Sequence, residues 1–424
     1  MDIAAANLPD SRQTRGLVIA RDMAKSFRRI ADGTLFVPSQ TGRGGYIVEL
    51  IDLTPGVVGA GRCGCPAFET WGGVCKHQYS ARFFLQLLEA PDGSSVVMAQ
   101  ITRTKTPRAN WSAYNHAQTV EQDCVRVLLS SLVGGIAEPE QKMGRPRMPL
   151  RDVLYGAGMK VYGTKSGRRA MSDLRDCTAA GLMTKTPAYN TIFKYVERPE
   201  LTPILSGLVT ASARPLIPVE RAFAIDATGF ATPRFVRWVD HAHGEDRRVA
   251  RQDWLKLHAV YAVKSGVIVS AEVTPAIGKD TSDTKWFEPL MKRTAEAGFI
   301  IEDVLADKGY LSRKNVAFIS KLRDGARAFI PMKVDSTPAG PPEWEKLYYL
   351  YGLNRDAFNA KYGQRQRAES GFSSVKRKFL ENLRSKTRAA QANEILIKCL
   401  VSNLTMIVHH AGELGIEPKF WMPS

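Results

Sequence analysis

The sequence predicts an α/β protein, with a mixed five-stranded sheet and its helices preceded by a helical segment and a small cysteine-bearing N-terminal domain. Three observations carry that expectation. From about residue 217 short apolar runs alternate with helical spacing, between about 112 and 200 the spacing is helical throughout, and three cysteines crowd between Cys63 and Cys75.

Residues 1–16 read as a polar tail, and 17–98 as the small domain, with Tyr46 to Leu53 alternating as a strand and Gln78 to Leu88 spaced as a helix. The stretch Pro91-Asp92-Gly93-Ser94-Ser95 reads as a linker. Residues 99–140 then form a helical linker region and 141–205 a basic helical segment, with apolar positions such as Val120, Val127, Leu128, Leu132, Leu154, Val161, Met171 and Leu174. Within 206–412, strand-like runs are expected at Ala222 to Ile225, Leu255 to Val263 and Val267 to Val273, followed by a helix near Trp286 to Ala297. A fourth run, Ile300 to Ala306, and a fifth, Ala326 to Pro331, are separated by a helix and followed by a long helical region, Lys361 to His410. Residues 413–424 are a tail, and there is no internal repeat. Three strands, a helix, a strand, a helix, a strand and a helix is the order of the ribonuclease-H-like fold.

The chain has 424 residues, 44% of them hydrophobic, enough for two or three domains with real cores. Its 59 basic and 42 acidic residues leave a net charge of +17, which favours a polyanionic partner. The excess is concentrated: Lys142 to Arg175 and Lys361 to Arg388 each hold nine Lys or Arg against two acids. With no run of about 18 apolar residues and no signal-peptide pattern, the expectation is a soluble, cytoplasmic protein with no membrane partner. Six cysteines are too few for a disulfide framework.

Asp226 closes the apolar run Ala222-Phe223-Ala224-Ile225, and Asp307 closes Val304-Leu305-Ala306 ahead of Lys308-Gly309-Tyr310. Taken singly, each is more simply a capping or turn residue. Converging at one sheet edge, however, they would repel, and a divalent cation removes the conflict. On a helix, Tyr362, Arg365, Glu369 and Lys376 fall at roughly 0°, 300°, 340° and 320°, one arc of about 60°. An aromatic, a cation, an anion and a cation so aligned suit a phosphate beside a metal.

These residues complete the pattern Tyr-x2-Arg-x3-Glu-x6-Lys, and with Ala-Ile-Asp226-Ala-Thr and Ala-Asp307-Lys-Gly-Tyr the chain resembles the DDE transposases of bacterial insertion sequences over about residues 140 to 410. The resemblance implies Asp226, Asp307 and Glu369 as catalytic ligands of two Mg²⁺ or Mn²⁺ ions. It implies Tyr362, Arg365 and Lys376 as holders of transposon-end phosphates. It further implies double-stranded DNA as partner, both element terminal repeats and target, a homodimer in the synaptic complex, and a bacterial, nucleoid-associated setting. Some relatives carry a large strand-rich insertion between the second Asp and the Glu. Only 61 residues separate Asp307 from Glu369, so an insertion here is small, about 334–358, and Trp344 within it has no assigned role. Two alternatives stand beside this reading: a domesticated, non-cleaving DNA-binding regulator and a ribonuclease-H-like nuclease.

Cys63-x-Cys65 and Cys75-x-His77, with turn-forming Gly64, Pro66, Gly72 and Gly73, offer three thiolates and an imidazole suited to one tetrahedral Zn²⁺. The spacing resembles the SWIM zinc finger. Cys124, Cys177 and Cys399 fit apolar helical patterns as core residues. Arg145 and Arg147 in Gly-Arg-Pro-Arg resemble an AT-hook core. Downstream, a helix from Arg168 and Arg169 to Ala180, then Thr186 as cap of a helix starting at Pro187, reads as a helical hairpin. In it Asn190, Thr191 and Lys194 face DNA and Ile192, Phe193 and Val196 pack inward. Residues 240–246, although rich in Asp, His and Glu, read as a charged loop.

Overall fold

The computed structural model describes residues 11–40, 44–51, 61–71, 74–89, 111–141, 143–232, 254–276 and 282–421. Gly72, Gly73, the linker at 91–95, Lys142 and the charged loop at 240–246 lie outside them. The chain divides into two compact units, Met1–Arg108 and Ala109–Ser424.

In the first unit, helix α1 (Ser11–Asp22) precedes four antiparallel strands, β1 (Arg28–Ala31), β2 (Thr34–Pro38), β3 (Gly45–Leu50) and β4 (Gly61–Cys63), paired in chain order. Helices α2 (Pro66–Trp71) and α3 (Lys76–Glu89) follow. The first helix begins inside the stretch expected as a polar tail, because its Ala20 and Leu17 pack against Tyr79 and Phe83 of α3. Phe27 stacks on Phe84 at 4.2 Å and closes the core around Leu35, Val37 and Val48.

The second unit opens with α4 (Trp111–Gly134), α5 (Leu150–Tyr162), α6 (Ala170–Ala179), α7 (Tyr189–Val196) and α8 (Leu201–Ala213). Strands β5 (Ala222–Ala231), β6 (Trp254–Ala262) and β7 (Ile268–Pro275) lead to helix α9 (Asp283–Glu296), then β8 (Asp303–Ala306), α10 (Arg313–Leu322) and β9 (Arg327–Phe329). The sheet has five strands in the order β7-β6-β5-β8-β9. β5, β6 and β7 run antiparallel, whereas β8 and β9 join β5 in parallel. This mixed five-stranded sheet is consistent with a ribonuclease-H-like core.

Three expectations about this unit change. β5 continues to Ala231, so Asp226 lies within the strand, because the β6 ladder extends past it to the pair Ala231–Trp254. The stretch expected as a small insertion is helical, α11 (Pro342–Leu353) and α12 (Arg355–Tyr362), and Trp344 is a buried core residue whose indole N–H donates to the Thr337 carbonyl. The long final helical region is broken: α12 ends in a 3-10 turn, Gly363–Arg365, before α13 (Gln366–Phe379), and residues 380–387 separate that from α14 (Arg388–Leu414). The C-terminal tail also packs, with Phe420 buried and the Trp421 indole donating to the Leu132 carbonyl.

The long α14 holds the edge of the sheet through one amide. Asn403 accepts from the Ile268 N–H at 2.8 Å and donates back to its carbonyl at 2.6 Å, pairing backbone groups of β7 that have no strand beyond them. Nearer α4, buried Glu121 receives Lys378 Nζ at 2.7 Å and the Tyr162 hydroxyl at 3.0 Å, with His409 Nε2 at 3.3 Å. Burial alone would push this carboxyl up, but the hydrogen bonds from His409 and Lys378 outweigh it and hold it at about 2, against an ordinary 4.5.

A carboxylate held that low stabilises the fold fully above its unfolded value and ceases to do so as pH falls from 4.5 toward 2. Glu121→Gln is therefore expected to cost roughly 3 kcal/mol of unfolding free energy near neutral pH. The gap from the unchanged protein should close on acidification, and a gap in urea unfolding that stays constant across that range would refute the assignment.

Candidate active site and metal centre

The parallel register of β5 and β8 places the two aspartates together. Ile225 pairs with Ala306 as the last rung, so Asp226 and Asp307 are the next residue on each strand. Neighbouring strands run about 4.8 Å apart, which makes these carboxylates neighbours. Asp226 accepts from the Ala227 N–H at 2.9 Å and Asp307 from the Lys308 N–H at 2.5 Å. Burial raises the Asp226 pKa, and the charges of Asp307 and Glu369 add to it against the pull of the Ala227 N–H and Arg365.

Glu369 arrives on α13, whose Ala368, Phe372, Val375 and Phe379 form the buried face. Gly371 lets that face approach β6 closely, since a Cβ there would lie 2.4 Å from the Tyr261 ring. Phe372 meets the same ring edge-on at 4.9 Å. The break at Gly363–Arg365 means the four signature residues do not occupy one continuous α-helix: Tyr362 ends α12, Arg365 lies in the tight turn, and Glu369 and Lys376 stand on α13. Through that turn Arg365 reaches inward, bonding Asp226 at 2.9 Å and also Glu369, with its guanidinium beside the Tyr362 ring. An open cleft of 550 Å³ takes in Asp226, Thr228, Glu369 and Lys376, the last paired with Glu381 at 3.0 Å.

The turn carrying Asp307 is braced by residues that the pattern analysis did not single out. Asp283, at the start of α9, receives Lys256 Nζ at 2.6 Å and lies 3.4 Å from Nδ1 of fully buried His258. Burial opposes its ionisation, but these two partners hold its pKa below the ordinary range. The next residue, Thr284, donates to the Gly309 carbonyl at 3.0 Å, and Asn315 bridges the carbonyls of Thr284 and Tyr310. The Tyr310 hydroxyl is buried without a hydrogen-bond partner among the described residues. Burial, together with Asp283, Asp226 and Asp307, pushes its pKa up. The available signal was Lys256 and His258 two apart on an otherwise apolar strand, a polar stripe on one face.

In the first unit, Cys63, Cys65, Cys75 and His77 are all buried, with ligand atoms within 4.8 Å of one another. Among the described residues this is the one group of three or more Cys, His, Asp or Glu drawn that close, so the three carboxylates stand wider apart. Cys63 Sγ lies 3.9 Å from His77 Nδ1, close to the roughly 3.6 Å edge of a tetrahedron with metal arms of about 2.3 and 2.0 Å. Hydrogen bonding from Cys63 lowers Cys75 to about 4, while that same bond and burial push Cys63 up. Three buried thiols and an imidazole gathered this closely fit a site completed by a cation.

The basic segment is exposed where charge matters: Arg145, Arg147, Arg168, Arg169, Asn190 and Lys194 all face solvent. Two local expectations fail. Thr186 does not cap α7, because its hydroxyl bonds that of Thr178 at 2.7 Å, and the helix starts at Tyr189 without a side-chain cap. Phe193 is 38% exposed, its ring lying under Lys160 Nζ at 5.4 Å. Cys177 and Cys399 are buried, and Cys124 is half-buried.

Residues 217–404 match the family model of a transposase DDE domain, a span that contains Asp226, Asp307, Glu369 and the braced turn. No curated protein matches the chain. The family match supports a DDE transposase.

Asp283→Ala leaves buried His258 and Lys256 without their carboxylate, with an expected loss of about 1–3 kcal/mol in denaturant unfolding. Amide exchange at Tyr310, whose N–H donates to the Asp307 carbonyl at 2.9 Å, should accelerate. Unchanged protection at that amide would show that the Asp283 brace does not hold the turn.

Proposed function

We propose that the protein is a DNA transposase in which Asp226, Asp307 and Glu369 hold the divalent ions that this class uses. The observation that supports this most is the parallel register that sets Asp226 beside Asp307 with Glu369 on the helix above, inside the span matching a transposase DDE domain. Mg²⁺ or Mn²⁺ bound there would activate an attacking oxygen and stabilise the leaving oxygen in an in-line displacement at phosphorus. An all-carboxylate donor set suits these hard cations. Arg365 already supplies positive charge between Asp226 and Glu369, which agrees with a site built to be neutralised. Tyr362, Arg365 and Lys376 serve the end phosphates, and the exposed Arg145, Arg147, Arg168, Arg169, Asn190 and Lys194 hold duplex DNA. A pair of such subunits handles the two ends of an element. The Cys63, Cys65, Cys75 and His77 cluster holds one structural Zn²⁺ in a SWIM-like module. Among the described residues no helix is long and apolar enough to cross a membrane.

Incubation with DNA carrying the sequences that flank its gene, with Mg²⁺, discriminates the readings. Cleavage at element ends followed by strand joining is expected. Binding without cleavage would instead identify a regulator, and structure-selective nicking a nuclease. Glu369→Gln should lower cleavage by at least ~10³-fold while leaving end binding nearly intact, so a mutant that cuts at the unaltered rate would sink the site assignment. Cys63→Ser should release the ion of the first unit, and elemental analysis that finds unchanged zinc content would refute the zinc site.

A further inference from the structure

A cavity of 1030 Å³ in the second unit shares no lining residue with the cleft of Asp226 and Glu369. Its apolar floor comes from Val161, Ile192 and Ile397, and its rim carries Lys160, Lys165, Arg169, Arg384 and Lys386 against the acids Glu197 and Glu394. The fold thereby brings together the two basic stretches that lie far apart in the chain, the first on α5 and the turn after it, the second on the segment between α13 and α14.

The acids neutralise that rim only in part. Glu394 accepts from the N–H groups of Arg384 and Ser385 and lies 3.5 Å from Lys398, while Lys165 pairs with Asp173. Among the described residues Lys160, Arg169 and Lys386 make no ion pair. One wall is also held in a costly shape. Thr164, which lines the cavity, and Leu380, which lines a small adjoining pocket, are the non-glycine residues with positive φ among those described, at 49° and 68°. Each is tied by a cation: Arg384 donates to the Thr164 carbonyl at 2.8 Å, and Lys398 to the Leu380 carbonyl at 2.7 Å. Strain of this kind collects where a ligand is clamped. Leu380 directly follows α13, so the adjoining pocket, which shares Lys160, Thr164 and Arg384 with the cavity, borders the end of the helix bearing Glu369 and Lys376.

We propose that this cavity is a second anchoring site for the phosphodiester backbone of duplex DNA, engaged by Lys160, Arg169 and Lys386 away from the reacting phosphate. Cations spread along an open rim suit a polyanion running across it, and Phe193, half-exposed beside Lys160, offers a face for the adjoining sugar. The proposal rests on the transposase reading for the identity of the polyanion, although its test does not depend on cleavage.

Fluorescence anisotropy with a labelled DNA duplex, over a series of salt concentrations, tests it. Arg169→Ala and Lys386→Ala are each expected to weaken binding several-fold and to flatten the dependence of log K on log salt by about 0.9, one released counterion. Lys160→Met should weaken binding by about tenfold, as for a lost charge-assisted contact. Lys292→Ala, exposed on α9 and paired with Glu296, should leave both quantities unchanged. Equal slopes in all four variants and the unchanged protein would overturn the proposal. So would inorganic phosphate stabilising the unchanged protein against heat but not Lys160→Met while the DNA slope stays fixed, since the cavity would then be a small-anion site. Loss of Mg²⁺-dependent cleavage with normal slopes in the unchanged protein counts against the catalytic reading alone.

Discussion

Two carboxylates held side by side by a parallel ladder are the constraint around which the second unit is organised. Backbone pairing of Ile225 with Ala306 leaves Asp226 and Asp307 no route apart. Their repulsion bears most on half-buried Asp226 and is met by positive charge brought from elsewhere in the chain. Arg365 brings it from the turn between α12 and α13, and the turn carrying Asp307 is fastened from behind by Asp283, Thr284 and Asn315. Gly371 sets how closely α13 can lie on β6, and hence where Glu369 stands.

The two candidate ion sites answer different demands. The Cys63, Cys65, Cys75 and His77 atoms are buried and gathered into a closed set, as a structural ion requires. Asp226 and Glu369 instead border an open cleft of 550 Å³. An open, oxygen-lined site leaves room for a substrate phosphate, which a closed thiolate cage excludes. Positive charge is likewise divided: Lys398 is spent inside the fold on Glu394 and the Leu380 carbonyl, while Arg145, Arg147 and Arg169 of the basic segment face solvent.

Sequence alone determined what short-range chemistry can express. Apolar runs marked every strand of the large sheet, the strand-end setting of Asp307 followed from Val304-Leu305-Ala306, and the Cys-x-Cys and Cys-x-His spacings marked the four residues that the fold gathers. Tertiary structure decided the rest, because those features depend on partners far along the chain. β5 extends past Asp226 only because β6 continues beside it to Trp254. Arg365 reaches Asp226, 139 residues away, from the turn at Gly363–Arg365, where periodicity had placed it on one continuous helix with Glu369 and Lys376. Thr186 gave up its capping role to a nearby hydroxyl, and Lys256 and His258 gained meaning only when α9 brought Asp283 to them. The two basic stretches were plain in the sequence as charge, but it took the packing of α5, α7 and α14 to make them one surface. Periodicity reports which face of an element is apolar, whereas the cation that neutralises a buried acid is chosen by long-range packing.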